Sequence, residues 1–208
     1  MLPLVRIERD RDAGRMKSFK QIWNVSVGWM RRFAGHPDPL VETSNWMAWA
    51  IGTHLPLWPL YLWLAAGRQV FPTALLTATL TPLFLAVPLI ARRNGLLGRI
   101  AMIFAGLANT VFTMWVLGQN TGTDLFFAPC AALAAVAFRY QERWWMLALT
   151  LLPVCIFYLL QFFPLVPLHH YEAGPARQIL ILNALSIGVV IALLGWLQLD
   201  AYRRMERR

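Results

Sequence analysis

The sequence has little charge, and its long apolar stretches hold almost no acidic residues. Only 14% of the 208 residues are charged, whereas soluble domains average about 25%. Hydrophobic residues make up 58% of the chain. So few charged groups cannot cover the surface of a water-soluble fold. The composition predicts an integral membrane protein that has the lipid bilayer as a partner.

Motifs of established enzyme chemistry are also missing from the sequence. We find no nucleophile elbow, no phosphate-binding loop, no zinc-protease helix and no paired carboxylates. The two cysteines, Cys130 and Cys155, both lie in apolar segments, where thiols are usually inert packing groups. We expect no cofactor and no metal, and the sequence favours a protein that is not an enzyme.

Six apolar segments follow one another along the chain. Most are close to the roughly 20 residues that a helix needs to cross a bilayer. The fourth is shorter, and its helix would cross only with help from flanking residues or from local bilayer thinning. The segments cover residues 46–66, 70–91, 96–117, 124–138, 144–163 and 178–199. The sequence predicts an all-α fold, an integral membrane bundle of six transmembrane helices in a domain at 46–199.

The basic residues predict how this bundle is oriented. Seventeen of the nineteen Lys and Arg residues lie in the two tails or beside the loops after the second and fourth segments. Only Arg68 and Arg177 lie on the other side. Cytoplasmic loops carry the excess of Lys and Arg, so we expect a multi-pass protein of the cell inner membrane with both termini in the cytoplasm. The net charge of +9 flanks apolar runs, which argues against a nucleic-acid partner.

The two tails differ from the apolar segments. In residues 1–45, apolar side chains recur at helical spacing among basic ones: Phe19, Ile22, Trp23, Met30 and Phe33. This pattern predicts a cytoplasmic tail with an amphipathic helix on the inner leaflet, and a helix docked on the bundle or on another protein is the alternative. Residues 200–208 form a basic cytoplasmic tail.

Polar residues within the apolar segments, or between them, are the candidates for ligand binding. His54 is the only histidine deep in a segment, and an intramembrane ionisable group is a functional candidate. A neutral imidazole bonded to a backbone carbonyl is the structural alternative. No second histidine matches its depth, which argues against a haem. Amides such as Asn109 and Asn183 either join helices or face a pocket. The candidate ligand-binding set is His54, Asn109, Gln119, Asn120, Asp124, Phe126, Phe127 and Asn183.

Residues 106–190 resemble a known kind of membrane region. They combine Asn109, a glycine-containing polar turn before an aromatic pair, a basic loop with Arg139 and Arg143, and Asn183. This pattern resembles the six-helix N-terminal membrane regions of bacterial class III adenylate cyclases and hybrid sensor histidine kinases. The resemblance implies a sensor or anchor that signals through its last helix to a cytoplasmic cyclase or kinase. No effector domain follows in this sequence, so we expect either a separate effector or a different mode of action.

Taken together, these patterns predict a membrane sensor or anchor module that receives a signal at the outer face or within the bilayer. The alternative is an accessory subunit of a larger membrane complex, or a small membrane-embedded enzyme or carrier for an apolar substrate. Apolar helix faces are also compatible with a homodimer.

Overall fold

The structure is a computed structural model, and it describes residues 28–206. Two units are distinguished, Met1–Gly35 and His36–Arg208. In the first unit, the described residues 28–34 are helical, and the ring of Trp29 stacks on that of Phe33 at 5.5 Å. Most of the predicted amphipathic helix, with Phe19, Ile22 and Trp23, lies outside the described residues, so its place on the membrane stays a prediction.

The second unit is a helical bundle. Within the described part of the chain it has eight α-helices and no strand, which confirms the predicted all-α fold. Short 3₁₀ turns join several of them. The helices are α1 (Pro39–His54), α2 (Trp58–Ala66), α3 (Phe71–Thr77), α4 (Thr81–Arg93), α5 (Gly95–Leu117), α6 (Phe127–Val136), α7 (Arg143–Phe162) and α8 (Ala173–Glu206).

Capping residues determine where two of these helices begin. The Asp38 carboxylate accepts a hydrogen bond from the backbone N–H of Leu40 at 3.1 Å, and Pro39 occupies the first turn of α1. Both features favour a helix start, so α1 begins ahead of the apolar segment that starts at residue 46. Asn94 caps α5 in the same way, accepting from the N–H of Leu97 at 3.1 Å.

Four helical stretches of the described chain are long and apolar enough to cross a membrane: Arg68–Arg93, Gly95–Leu117, Tyr140–Phe162 and Ala173–Glu206. They correspond to the second, third, fifth and sixth predicted segments. The fourth segment is the shorter apolar helix Thr123–Val136. A 3₁₀ turn at Leu55–Leu57 interrupts the first. The six-span count therefore stays a prediction.

The bundle has two distinct ends. The basic end is the end where residues 38–42, 95–99, 137–143 and 198–206 meet. Three ion pairs join its parts: Arg99 with Glu142 at 2.7 Å, Arg139 with Asp38 at 2.8 Å, and Arg204 with Glu42 at 2.7 Å. A buried cluster holds the opposite end together: Leu62, Ala66, Val70, Ala74, Val116, Leu117, Tyr171, Ala176 and Ile179.

Helix α5 is the centre of the bundle, and α7 is at its edge. Helix α5 packs against α1, α3, α4 and α6, and Ile103 and Met114 on it are buried. In α7 only Leu149 and Pro153 are buried, and its main packing partner is α6. Most of α7 is therefore an apolar surface suited to lipid.

Candidate functional site

A cavity of about 550 Å³ lies inside the bundle. Its walls come mainly from α1, α2, α5, α6 and α8. Small-molecule sites are typically a few hundred to a thousand cubic ångströms in volume. The structure brings four of the eight predicted site residues together in the lining: His54, Asn109, Phe126 and Asn183.

Two asparagines that line this cavity have an unpaired side-chain oxygen. Asn183 on α8 is fully buried, and its Nδ2 donates to the carbonyl oxygen of Thr121 at 2.8 Å. Its Oδ1 accepts no hydrogen bond from the residues that the structure describes, and the same is true of the buried Oδ1 of Asn109 on α5. An unsatisfied buried acceptor costs about 1–3 kcal/mol. A molecule that donates hydrogen bonds to these oxygens would recover that free energy.

His54 lies where α1 ends, and it also lines the cavity. Its Nδ1 is 2.9 Å from the carbonyl oxygen of Ala50. A carbonyl can only accept, so Nδ1 must donate, and in the neutral ring Nε2 is then an acceptor. The contact to a backbone carbonyl is the structural alternative that the sequence left open, and it leaves Nε2 available to a ligand.

The remaining lining of the cavity is almost entirely neutral and apolar. Thr110 donates to the carbonyl of Gly106 at 2.9 Å, and Ser186 donates to that of Leu182 at 2.8 Å, so both hydroxyls bond their own helices. Cys130 of α6 also lines it. No Lys, Arg, Asp or Glu is among the described residues that form its wall. The cavity is thus suited to an uncharged molecule.

Four predicted site residues lie elsewhere: Gln119, Asn120, Asp124 and Phe127 are not in the cavity lining. Gln119, Asn120 and Asp124 belong to the turn after α5, which glycines with positive φ shape, with φ of 84° at Gly118 and 71° at Gly122, and Phe127 is the first residue of α6. A Cβ on Gly122 would sit 3.1 Å from Cγ of Leu180 on α8. The turn therefore packs closely on α8 and closes the opposite end of the bundle.

Hydrogen bonds hold this closed end together. The hydroxyls of Thr121 and Thr123 donate to the carbonyl of Gly118 at 2.6 and 3.2 Å. The hydroxyl of Tyr171, in the loop before α8, hydrogen-bonds that of Thr73 on α3. Burial raises the pKa of Tyr171 above its usual value, and the bond to Thr73 partly offsets this rise.

The basic end contains a buried ion pair that the sequence interpretation missed. Arg99 is 3% exposed and donates to both carboxylate oxygens of Glu142 at 2.7 Å. It also donates to the carbonyl of Ala137 at 2.8 Å. Its guanidinium lies 5.4 Å from the ring centroid of Phe138. The available signal was an arginine just inside an apolar segment together with a glutamate in a loop that is otherwise basic.

His169, His170 and Glu172 lie close together in the sequence, in the segment before α8. Within residues 28–206, no group of three or more His, Cys, Asp and Glu side chains is arranged to hold a metal ion. The ring of His169 instead packs edge-on against Tyr171, with centroids 4.7 Å apart.

The fold and the cavity define an all-helical membrane module with an internal neutral pocket. The family model of MASE7 matches residues 43–207, and the chain belongs to the MASE7 family. MASE domains are membrane-associated sensory domains of cyclases and kinases. The match therefore confirms the resemblance to the membrane regions of these enzymes. A comparison with curated proteins finds no match.

Proposed function

We propose that this protein is a multi-pass sensor of the inner membrane that detects a small molecule in its cavity and signals through α8 to a cytoplasmic partner. The observation that carries the proposal is the course of α8. This helix lines the cavity with Leu182, Asn183, Ser186, Val190 and Leu193 and continues without a break to Glu206 at the basic end. A ligand in the cavity would therefore contact the same helix, α8, that extends out of the membrane at the basic end.

Contacts along α8 support transmission over its full length. Near its start, the Asn183 side chain is bonded to the turn after α5. Further along, Nε2 of Gln198 donates to the carbonyl of Val136 at 3.2 Å, and Arg204 pairs with Glu42 at 2.7 Å. The helix has 34 residues and is about 50 Å long. A shift at the cavity would change which of these contacts can form at the basic end.

The proposal includes the orientation and the partner expected from the sequence. In it, six helices cross the inner membrane, both termini lie in the cytoplasm, and the tail at 1–45 lies on the inner leaflet. The cytoplasmic partner is a cyclase or kinase, the enzymes in which MASE domains occur. His54, Asn109, Phe126 and Asn183 contact the ligand, and the turn with Gln119, Asn120 and Asp124, which leads into Phe127 at the start of α6, positions α8.

A fusion protein tests this function. The full chain is joined through Arg208 to the catalytic domain of a class III cyclase, in a host without its own cyclase, and cAMP is measured. Ser186→Phe places a ring in the cavity on α8, and we expect it to change cAMP output about fivefold, as for a typical coupling energy. The control is Leu199→Phe, because Leu199 is 61% exposed on the same helix and is not in the lining.

The two variants are compared at equal membrane abundance, measured by immunoblot. The proposal predicts that Leu199→Phe keeps the output of the parent fusion. Equal outputs from the parent, Ser186→Phe and Leu199→Phe would show that the state of the cavity does not reach the cytoplasmic end of α8.

A further inference from the structure

The cavity reaches the surface of the bundle between its two ends. Its lining combines fully buried residues such as Ile103 and Asn183 with exposed ones, His54, Leu185 and Val189. Leu185 and Val189 are 65% and 68% exposed and lie in the middle of the apolar part of α8. His54 is the last residue of α1 and lies near the middle of the first apolar segment. The opening therefore faces the hydrocarbon of the bilayer.

The lining selects for one kind of molecule. A charged ligand is disfavoured, because no charged side chain of the described lining could compensate its burial. A pure hydrocarbon would leave the two amide oxygens of Asn109 and Asn183 unpaired. An apolar body with a hydroxyl group satisfies both requirements, because the O–H can donate to an acceptor that has no partner.

We propose that the cavity binds a neutral lipophilic alcohol or phenol, which enters from the bilayer and donates its hydroxyl proton to Oδ1 of Asn109. This inference deepens the proposed function, and its role in signalling rests on that function. The binding itself stands on the geometry of the cavity alone.

A matched pair of probes tests the ligand class. 4-Octylphenol has the donor, and 4-octylanisole has the same alkyl chain with a methyl ether in place of the hydroxyl. Binding of each is measured on the full chain in lipid nanodiscs, after subtraction of uptake by empty nanodiscs. We expect the phenol to bind about tenfold more tightly, which corresponds to about 1.4 kcal/mol. Ionised 4-octylbenzoate is expected not to compete with it.

Substitution of one amide locates the selectivity. Asn109→Leu keeps the approximate volume and removes the acceptor, so we expect the phenol and the anisole to bind with similar affinity. Gln161→Leu is the matched control, because Gln161 is an exposed amide on α7, outside the cavity lining, and it should retain the tenfold ratio. Asn183 is less suitable for substitution because its Nδ2 also holds Thr121.

Two results would overturn the inference: equal affinity for both probes in the natural chain, or a tenfold ratio that persists in Asn109→Leu. If Asn109→Leu does not fold, Ser186→Phe takes its place and must block both probes by filling the cavity.

The cyclase fusion gives a separate result. If the natural chain binds both probes equally but Ser186→Phe still changes the cAMP output of the fusion, this ligand class is rejected and the sensor function is kept. Phenol selectivity without any response in cAMP would keep the site and reject the sensor.

Discussion

At the scale of single residues, Arg99 is the largest exception to the apolar interior of the bundle. It is 3% exposed, yet its charge is matched by the two oxygens of Glu142. Bidentate pairing of this kind gives short, strong, charge-assisted hydrogen bonds. The pair also joins the start of α5 to the start of α7 and so connects two parts of the basic end.

Removal of Glu142 is therefore expected to destabilise the protein. Glu142→Ala leaves the Arg99 charge buried without a partner, which costs about 3 kcal/mol and lowers Tm by roughly 6–12 °C in a chain of this size. Arg139→Ala is the control: the Arg139 side chain is 56% exposed in its pair with Asp38, and such surface pairs contribute about 1 kcal/mol or less. Thermal unfolding in detergent measures both. A loss from Glu142→Ala no larger than that from Arg139→Ala would contradict the assigned role.

The contrast between these residues shows what the sequence could predict of the site. His54, Asn109 and Asn183 were identifiable because polar side chains are uncommon inside apolar segments unless they have a structural or functional role. The Arg99–Glu142 pair was not, because its two halves are distant in sequence and only the packing of α5 near α7 brings them together. Gln119, Asn120 and Asp124 were chosen for their polarity and for the resemblance of their turn to the known membrane regions, and they are not in the lining of this cavity.

At the scale of the elements, the junction between α1 and α2 has a local chemical cause. Pro56 has no N–H to donate to the carbonyl of Gly52, so the regular helical bond is lost there. The chain instead forms a 3₁₀ turn, in which the N–H of Trp58 bonds the carbonyl of Leu55. Gly52 lies against Phe84 and Leu85 of α4, which holds the turn beside the cavity next to His54.

Replacement of Pro56 tests this explanation. Pro56→Ala supplies the missing donor, so we expect an α-helical bond to Gly52 and amide hydrogen exchange at least about tenfold slower at residues 57 and 58. Pro39→Ala is the matched control, because Pro39 is in the first turn of α1 and follows the extended residue Asp38, so its missing N–H has no helical partner in any case. Unchanged exchange at residues 57 and 58 would show that packing on α4, and not the proline, determines the turn.

The elements also show how far composition can predict a membrane fold. Four of the six segments were found again as helices of membrane length because a long apolar run leaves the backbone no other way to pair its polar groups. The first and fourth are ambiguous for physical reasons. Prolines interrupt the first segment, and the fourth segment has too few residues to span about 30 Å of hydrocarbon as a regular helix. Only packing with neighbours could show where they lie.

At the scale of the whole molecule, the two ends of the bundle carry very different charge. Ion pairs bring the basic segments around Asp38, Arg99, Arg139 and Arg204 to one end, while Arg68 and Arg177 lie near the apolar cluster of the other. The positive-inside rule predicts that the basic end faces the cytoplasm. Helix α6 leads from the turn that Asn183 holds to Ala137, which accepts from Arg99, so it connects the two ends despite its length.

Labelling of single cysteines tests this orientation and the number of crossings. With Cys130 and Cys155 replaced by alanine, a new cysteine is placed at four exposed positions and treated with a membrane-impermeant maleimide in intact cells. The positions are Asn120 and His170 at the opposite end, and Tyr140 and Arg203 at the basic end. We expect labelling of the first two in intact cells, and of the last two only after permeabilisation.

The cysteine at Tyr140 decides whether α6 crosses the membrane. The 3₁₀ turn and helix at Thr123–Val136 are together about 23 Å long, so α6 reaches the inner surface only where the bilayer is locally thin or where polar residues at its ends enter the headgroup region. The Arg99–Glu142 pair favours crossing, because it fixes the loop after α6 to the start of α5. Labelling of Tyr140→Cys from outside, with Arg203→Cys still protected, would make α6 a re-entrant segment and end the six-span topology.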